Sequence, residues 1–225
     1  MESKIFKYDV YTYNFPKIIR DYLEVEELSE VKAEAREPSS ENKNSLYKNM
    51  EQTILHKRLY EKLNSEEGEK FNQTFHQFIK DVVRPQYDEG IYYQSKPSHR
   101  ILYSNAEGVS RFHRDRDYGH NQAEINYFLP LTKTYDTNSL WIESQEGKED
   151  YKAMELEPGQ FLRFNGVNLK HGAKNNLTGK SRVSFDFRII PESRMPEEIK
   201  DTSNWKPEDK TNPLFNNAHN FAFCS

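Results

Sequence analysis

The sequence predicts an α+β protein: a double-stranded β-helix, or jelly roll, with N-terminal helices packed on the sheet. Three observations carry this. Apolar residues recur at helical spacing through most of the first 90 positions. Beyond residue 90 the texture changes to short segments rich in β-branched and aromatic residues, separated by turn signals. These strand-like segments follow one another with no helical pattern between them, as a double antiparallel sheet requires. The 225 residues are expected to form one domain, with a mostly helical part (1–90), a strand-rich core (91–191) and a C-terminal tail (192–225).

The N-terminal elements follow in order. Lys7 to Tyr13 has the composition of a short strand. Phe15-Pro16 opens a helix with Ile18, Ile19, Tyr22 and Leu23 on one face, and Pro16 suits the first turn, where its missing N–H is not needed. Residues 36–45 are polar and turn-rich and read as an exposed loop. Leu46, Met50, Ile54, Leu55, Leu59 and Leu63 give the next helical stripe. Ser65 is placed to cap a third helix, with Glu66 and Glu67 where the helix dipole favours negative charge. Phe71, Phe75, Phe78, Ile79 and Val82 form its apolar face, and Arg84-Pro85 should end it. These stripes read as core packing. His56 and His76, which lie on them, read as packing or surface histidines.

Strands are expected at residues 91–94, 100–104, 110–113, 124–131, 139–143, 152–156, 160–164 and 182–190. Asp117-Tyr118-Gly119, Pro158-Gly159, Asn165-Gly166 and Thr178-Gly179 punctuate them. The tail lacks periodicity. It is expected to wrap the surface on Trp205, Phe215, Phe221 and Phe223, or to remain partly disordered.

Composition narrows the function. Hydrophobic residues make up 35% and charged residues 30%, so 14 Phe, 14 Tyr and 2 Trp must supply much of the core. A net charge of −4 with both signs interspersed argues against a nucleic-acid binder. One cysteine, Cys224, makes neither a disulfide nor a cysteine-rich zinc site, which fits a reducing compartment. The first residues lack a secretory apolar region and no run reaches membrane-spanning length, so a cytoplasmic location is expected.

The chemistry concentrates in Phe112-His113-Arg114-Asp115, His171 and Arg182-Val183-Ser184. On a strand, His113 and Asp115 share a face. With His171 they would offer two imidazoles and one carboxylate, a set that suits a non-heme Fe(II) with open positions. A lone His-x-Asp is a weak signal, and a surface ion pair would explain it equally. Arg182 and Ser184, eleven and thirteen residues after His171, would share a strand face as a carboxylate clamp. That strand alternates Val183, Phe185, Phe187 and Ile189 with Arg182, Ser184, Asp186 and Arg188. The polar face is either solvated or turned inward to bind something, and composition leaves the two open.

The spacing resembles the Fe(II)/2-oxoglutarate-dependent oxygenases, which carry His-x-Asp/Glu, a distal His and then Arg-x-Ser. FHRDRDYGH (112–120), EINYFLPLT (124–132), TNSLWIES (137–144) and SRVSFDFRIIP (181–191) are similar to the streptomycin-biosynthesis type, and to enzymes that hydroxylate or halogenate free amino acids. The resemblance spans residues 99–191. It implies Fe(II) on His113, Asp115 and His171, and 2-oxoglutarate held by Arg182 and Ser184. O2 would be the second cosubstrate. Asn126 is a further candidate cosubstrate contact. Candidate substrate contacts are Arg100, Tyr103, Asp117, Trp141 and Arg188. Of Arg100 and Tyr103, at most one points inward on a regular strand. Trp141 is open to two readings, pocket wall or core. Arg116 and His120 lie in the loop after the metal pair, and His120 is expected to stay there rather than act as a fourth ligand. The family's halogenases replace the carboxylate ligand by a small residue, so Asp115 implies hydroxylation; the resemblance to antibiotic and amino-acid enzymes implies a small polar metabolite as substrate, either a free amino acid or a sugar or aminocyclitol. The competing class is a non-oxygenase cupin-type metal or carbohydrate binder, which has no use for a dicarboxylate clamp.

Overall fold

The computed structural model describes residues 2–32, 53–106, 111–197 and 221–225. Among them are three α-helices, α1 (Phe15–Leu23), α2 (Ile54–Leu63) and α3 (Glu69–Phe78). Ten strands follow the chain as β1 (Lys4–Lys7), β2 (Ile91–Gln94), β3 (Ser98–Leu102), β4 (Ile125–Pro130), β5 (Leu140–Ile142), β6 (Lys152–Met154), β7 (Gln160–Phe164), β8 (His171–Ala173), β9 (Arg182–Pro191) and β10 (Phe221–Cys224). They form two antiparallel sheets. The larger runs β1-β7-β4-β9-β2-β10, with β3 also pairing β9, and the smaller runs β6-β5-β8. The α+β class is therefore as expected. No described helix is long and apolar enough to cross a membrane.

Local chemistry sets the helix ends. The Asn14 side chain accepts from the Lys17 N–H and caps α1, and Thr53 does the same for α2 through the His56 N–H. Ser65 does not cap. Its hydroxyl donates to the Lys62 carbonyl instead, and a short 3-10 turn over residues 66–68 precedes α3. After Phe78 the chain passes through one π turn, Ile79–Val83, and a 3-10 turn, Arg84–Gln86. The wider turn rotates the apolar face, so Val83 is fully buried and Val82 only partly so. Pro85 sits in the first turn of the 3-10 segment, so the chain stops turning at Gln86 rather than at Arg84.

The strand β9 organises the core. Val183, Phe185, Phe187 and Ile189 are fully buried on one face, against the helices. Phe185 packs edge-on to Phe15, Phe71 and Phe75, at ring distances of 5.1, 5.5 and 5.9 Å. Removing such a ring typically costs about 3–5 kcal/mol. The other face, Arg182, Ser184, Asp186 and Arg188, turns toward the smaller sheet. Both faces are thus enclosed, and the polar one is not solvated.

Other differences from expectation have local causes. The first strand is Lys4–Lys7, because Asp9 folds residues 9–13 into a turn by accepting from the Tyr11 N–H and the Thr12 hydroxyl. The expected strand ending at His113 is reduced to a single bridge, His113 to His171. Two strands were not expected. His171–Ala173 is three residues long with a central glycine, and Phe221–Cys224 adds a strand to β2 where a wrapping tail was anticipated. The loop at 36–45, the helix residues Leu46 and Met50, and the anchors Trp205 and Phe215 lie outside the described residues.

Candidate metal centre

His113 and His171 are cross-strand partners, each donating its N–H to the other's carbonyl at 2.9 Å. The chain is extended at Arg114 and enters a 3-10 turn at Asp115, which closes at Gly119 with φ 82°. Asp115 therefore does not share a strand face with His113. It reaches the same point because its N–H is tied to the Gly166 carbonyl at 2.9 Å.

Each imidazole is aimed by its own backbone. Nδ1 of His113 lies 2.7 Å from the Arg111 carbonyl, and Nδ1 of His171 lies 2.9 Å from that of Leu169. A carbonyl only accepts, so Nδ1 carries the proton and Nε2 presents its lone pair. The two Nε2 atoms lie 3.4 and 3.5 Å from Asp115 Oδ1, and the three ligand atoms all fall within 4.8 Å of one another. Atoms bound roughly 2.0–2.2 Å from one ion at right angles sit about 3 Å apart, so this donor set fits a divalent metal. Burial depresses the His171 pKa against the opposing pull of Asp115, which favours the neutral, ligating form.

The second carboxylate oxygen is already taken. Asp115 is 1% exposed, and its Oδ2 accepts from Asn126 Nδ2 at 2.7 Å and from Arg188 Nη2 and Nε at 2.9 and 3.1 Å. Burial alone would raise the Asp115 pKa. The Arg188 guanidinium, joined by His113 and His171, instead holds it well below the usual carboxylate range. Asn126 spends its other end on the Gly166 N–H at 3.1 Å. Asn126 and Arg188 face the same pocket because they are register partners on β4 and β9.

A cavity opens beside the imidazoles. Phe128, Leu140 and Phe164 give it apolar walls, and Arg100, Asn126, Arg182, Asp186 and Arg188 supply polar ones. Arg182 is 3% exposed. Its Nη1 donates to the Asn138 carbonyl at 2.9 Å and its guanidinium lies 5.5 Å from the Phe128 ring, but its Nε has no partner. Burial lowers its pKa to about 10, so it remains a cation at neutral pH. The hydroxyl of Ser184, fully buried two residues on, is also unpartnered. A buried cation beside a spare hydroxyl is what a carboxylate ligand would complete.

The remaining candidates separate clearly. Arg100 lines the cavity and pairs with Asp186 at 3.0 Å. Tyr103 belongs to the core, with its hydroxyl 2.7 Å from that of Thr53. It packs there because residue 103 lies just past the end of β3, on the side away from Arg100. Trp141 alternates with the inward Leu140 and Ile142 and stacks under Lys174 at 3.3 Å, so it is not a cavity wall. Asp117 is tied to Arg114 at 3.1 Å on the exposed turn, and Arg116 to Asn168 at 3.0 Å. His120 pairs with Glu124 at 2.8 Å and is not among the clustered ligand atoms. Glu124 and Gly166 were not singled out from the sequence. Gly166 carried only a turn signal, and Glu124 had none beyond its place as the first residue of an expected strand.

No protein-family model matches the chain. It is 32% identical over 187 residues to the streptomycin biosynthesis protein StrG of Streptomyces griseus, covering 83% of this chain and 84% of StrG. The structure of EctD from S. alaskensis with 2-oxoglutarate and 5-hydroxyectoine superposes with a TM-score of 0.54 at 12% identity, covering 87% of this chain and 74% of EctD. The EctD likeness speaks to the fold, and the StrG likeness, over most of both chains, to kinship. With the clustered His-Asp-His donors, they place the chain in a family: it belongs to the Fe(II)/2-oxoglutarate-dependent oxygenases, in the group of StrG.

Proposed function

We propose that this oxygenase hydroxylates a small polar metabolite, either a free amino acid or a sugar or aminocyclitol. His113, Asp115 and His171 hold Fe(II), and Arg182 and Ser184 hold the distal carboxylate of 2-oxoglutarate. The paired sheets are read as a double-stranded β-helix, and the described residues as one oxygenase unit. One observation carries the function: a buried, incompletely partnered guanidinium lines the same cavity as the two imidazoles whose ring nitrogens cluster with an Asp115 oxygen. A cupin-type binder would have no reason to keep Arg182 buried at that cost.

When bound, iron and 2-oxoglutarate supply oxidising power from O2 with loss of CO2 and formation of succinate. The chain's own residues do the rest. Three protein ligands leave further positions of the metal to the cosubstrate and oxygen. Arg182 and Ser184 orient the cosubstrate by charge-assisted hydrogen bonds, while Phe128, Leu140 and Phe164 exclude water along its apolar middle. Arg100 and Asp186, partly open to the cavity, are placed to meet polar groups of the substrate. Asp115 occupies the position that a halide would need.

The test is anaerobic titration of the Fe(II) protein with 2-oxoglutarate, followed by its charge-transfer absorption. A metabolite screen then pairs succinate formation with substrate mass shifts. His171→Ala should weaken Fe(II) binding and abolish turnover. Absence of the absorption in the wild-type protein would remove the cosubstrate assignment.

A further inference from the structure

Arg188 stands between two aspartates. Its Nη2 is 2.9 Å from Asp115 Oδ2, and its Nη1 is 4.0 Å from Asp186 Oδ2. A third carboxylate decides which it serves. Glu124 is 5% exposed, and its Oε2 lies 3.3 Å from Arg188 Nε, the same N–H edge that Asp115 uses. Glu124 is itself fixed on both oxygens. Oε1 accepts from the Asn121 N–H at 3.1 Å, and Oε2 lies 2.8 Å from His120 Nδ1. The Nε–Nη2 edge of the guanidinium gives its N–H groups to Asp115 Oδ2, and the Glu124 charge lies beside that edge. Together with Asn126, it places three N–H donors on one carboxylate oxygen, more than its two lone pairs accept in ideal geometry. Only Oδ1 is left to face His113 and His171.

We propose, on the footing of the iron- and 2-oxoglutarate-binding function above, that Glu124 and Arg188 are positioning residues that hold Asp115 to ligation through one oxygen. Chelation by both oxygens would consume a coordination position that the cosubstrate or oxygen requires. The pair keeps that position open without touching substrate. Arg188→Lys keeps the charge and loses the fork. Glu124→Gln keeps the shape and loses the charge that pins the fork.

Both variants should bind Co(II) within about threefold of wild type, because the released second oxygen of Asp115 can itself chelate the ion and offset the lost brace. Both should bind 2-oxoglutarate at least about tenfold more weakly, a difference of about 1.4 kcal/mol, because the released carboxylate oxygen competes for the position the cosubstrate needs. The ligand-field absorption of their Co(II) forms should also shift, since the coordination number changes. Near-UV circular dichroism identifies a misfolded variant, in which case the other carries the test. Wild-type 2-oxoglutarate affinity and an unchanged Co(II) spectrum in folded variants would overturn the proposal. So would parallel loss of metal and cosubstrate binding, which would mean general support of the site. If instead the wild-type protein binds metal but no 2-oxoglutarate, the cosubstrate assignment fails. The Co(II) spectra alone then decide whether Asp115 is held to one oxygen.

Discussion

Gly166→Ala should damage the metal site without touching a ligand. Gly166 does not have a left-handed backbone, so alanine is conformationally permitted there. The obstacle is Asn126. A Cβ at residue 166 would lie 2.7–2.8 Å from all three heavy atoms of its carboxamide head. Asn126 is 4% exposed and clamped between Asp115 Oδ2 and the Gly166 N–H, so it has no relaxed alternative. Displacing it sacrifices a hydrogen bond to a carboxylate, worth about 1.5–3 kcal/mol, and a neutral one worth about 1 kcal/mol. Overpacking adds about 1–3 kcal/mol where the side chain cannot leave fully. A net destabilisation of about 3–5 kcal/mol is expected, with divalent-metal affinity reduced about 10–100-fold as Asp115 loses its brace. Urea denaturation and Ni(II) titration measure the two effects. A double-mutant cycle identifies the cause: in an Asn126→Ala background the alanine methyl has room, and its added cost should fall below about 1 kcal/mol. Additive effects of the two substitutions would refute the steric argument. A Gly166→Ala protein within about 0.5 kcal/mol of wild type would refute the premise that Asn126 is confined.

Other perturbations address separate groups. Arg182→Lys keeps a cation but loses the planar fork, so it should raise the 2-oxoglutarate requirement at least about tenfold with metal binding intact; unchanged requirement would release Arg182 from the cosubstrate site. Product mass spectra with and without high chloride should show oxidation and no chlorination, since Asp115 fills the halide's position. A chlorinated product would overturn the hydroxylase assignment alone. His99 is buried among Phe71, Tyr60 and Phe185, and burial, with His56 and Arg100, pushes its pKa down to about 3. Its unfolded value is about 6.5, so the unfolded chain binds the extra proton first on acidification. The stability it confers is complete above about pH 6.5 and is lost as pH falls toward 3, on the order of 5 kcal/mol at most. His99→Phe should flatten stability against pH across that window, and an unchanged slope would show that His99 is not buried neutral.

The clustering of His113, Asp115 and His171 was legible because these residue types carry the chemistry wherever the chain puts them. His113, Asp115, His171 and Arg182 needed only to converge, and the family spacing indicated that they do. How they converge was not legible. Asp115 was expected on a strand face beside His113, whereas a turn anchored on the Gly166 carbonyl delivers it. Asn126 and Arg188 looked like ligand contacts because both are polar residues on inward strand faces. Their partner was hidden in a register: Asn126 opposes Arg188 across β4 and β9, and both meet a carboxylate more than ten residues away in the chain. Glu124 and Gly166 were invisible for the same reason. Alternation along one strand gives the face a side chain takes, not the neighbour it finds there. The helices were legible in type and imprecise at their ends, where a hydroxyl such as that of Ser65 chooses between two nearby backbone groups.

The inward face of β9 shows how the fold tolerates a polar strand in its interior. Each of its charged groups is expensive to bury alone. Arg188 is offset by Asp115 and Glu124, and Asp186 by Arg100. The first set is closed within the protein and fixes geometry, while Arg100 and Asp186 neutralise each other and still face the cavity. Arg182 is different. It has a backbone carbonyl, an aromatic ring and a spare hydroxyl nearby, and no carboxylate among its described hydrogen-bond partners. The opposite, aromatic face of the same strand supplies the packing that keeps this arrangement folded. On the proposed function, the incompletely hydrogen-bonded Arg182 is the place for an anion, and Arg188 with its carboxylates is what must not move. On a single strand, the alternation of side chains separates the residues that anchor the sheet from those that brace Asp115 and those that, on the proposed function, receive the cosubstrate's carboxylate.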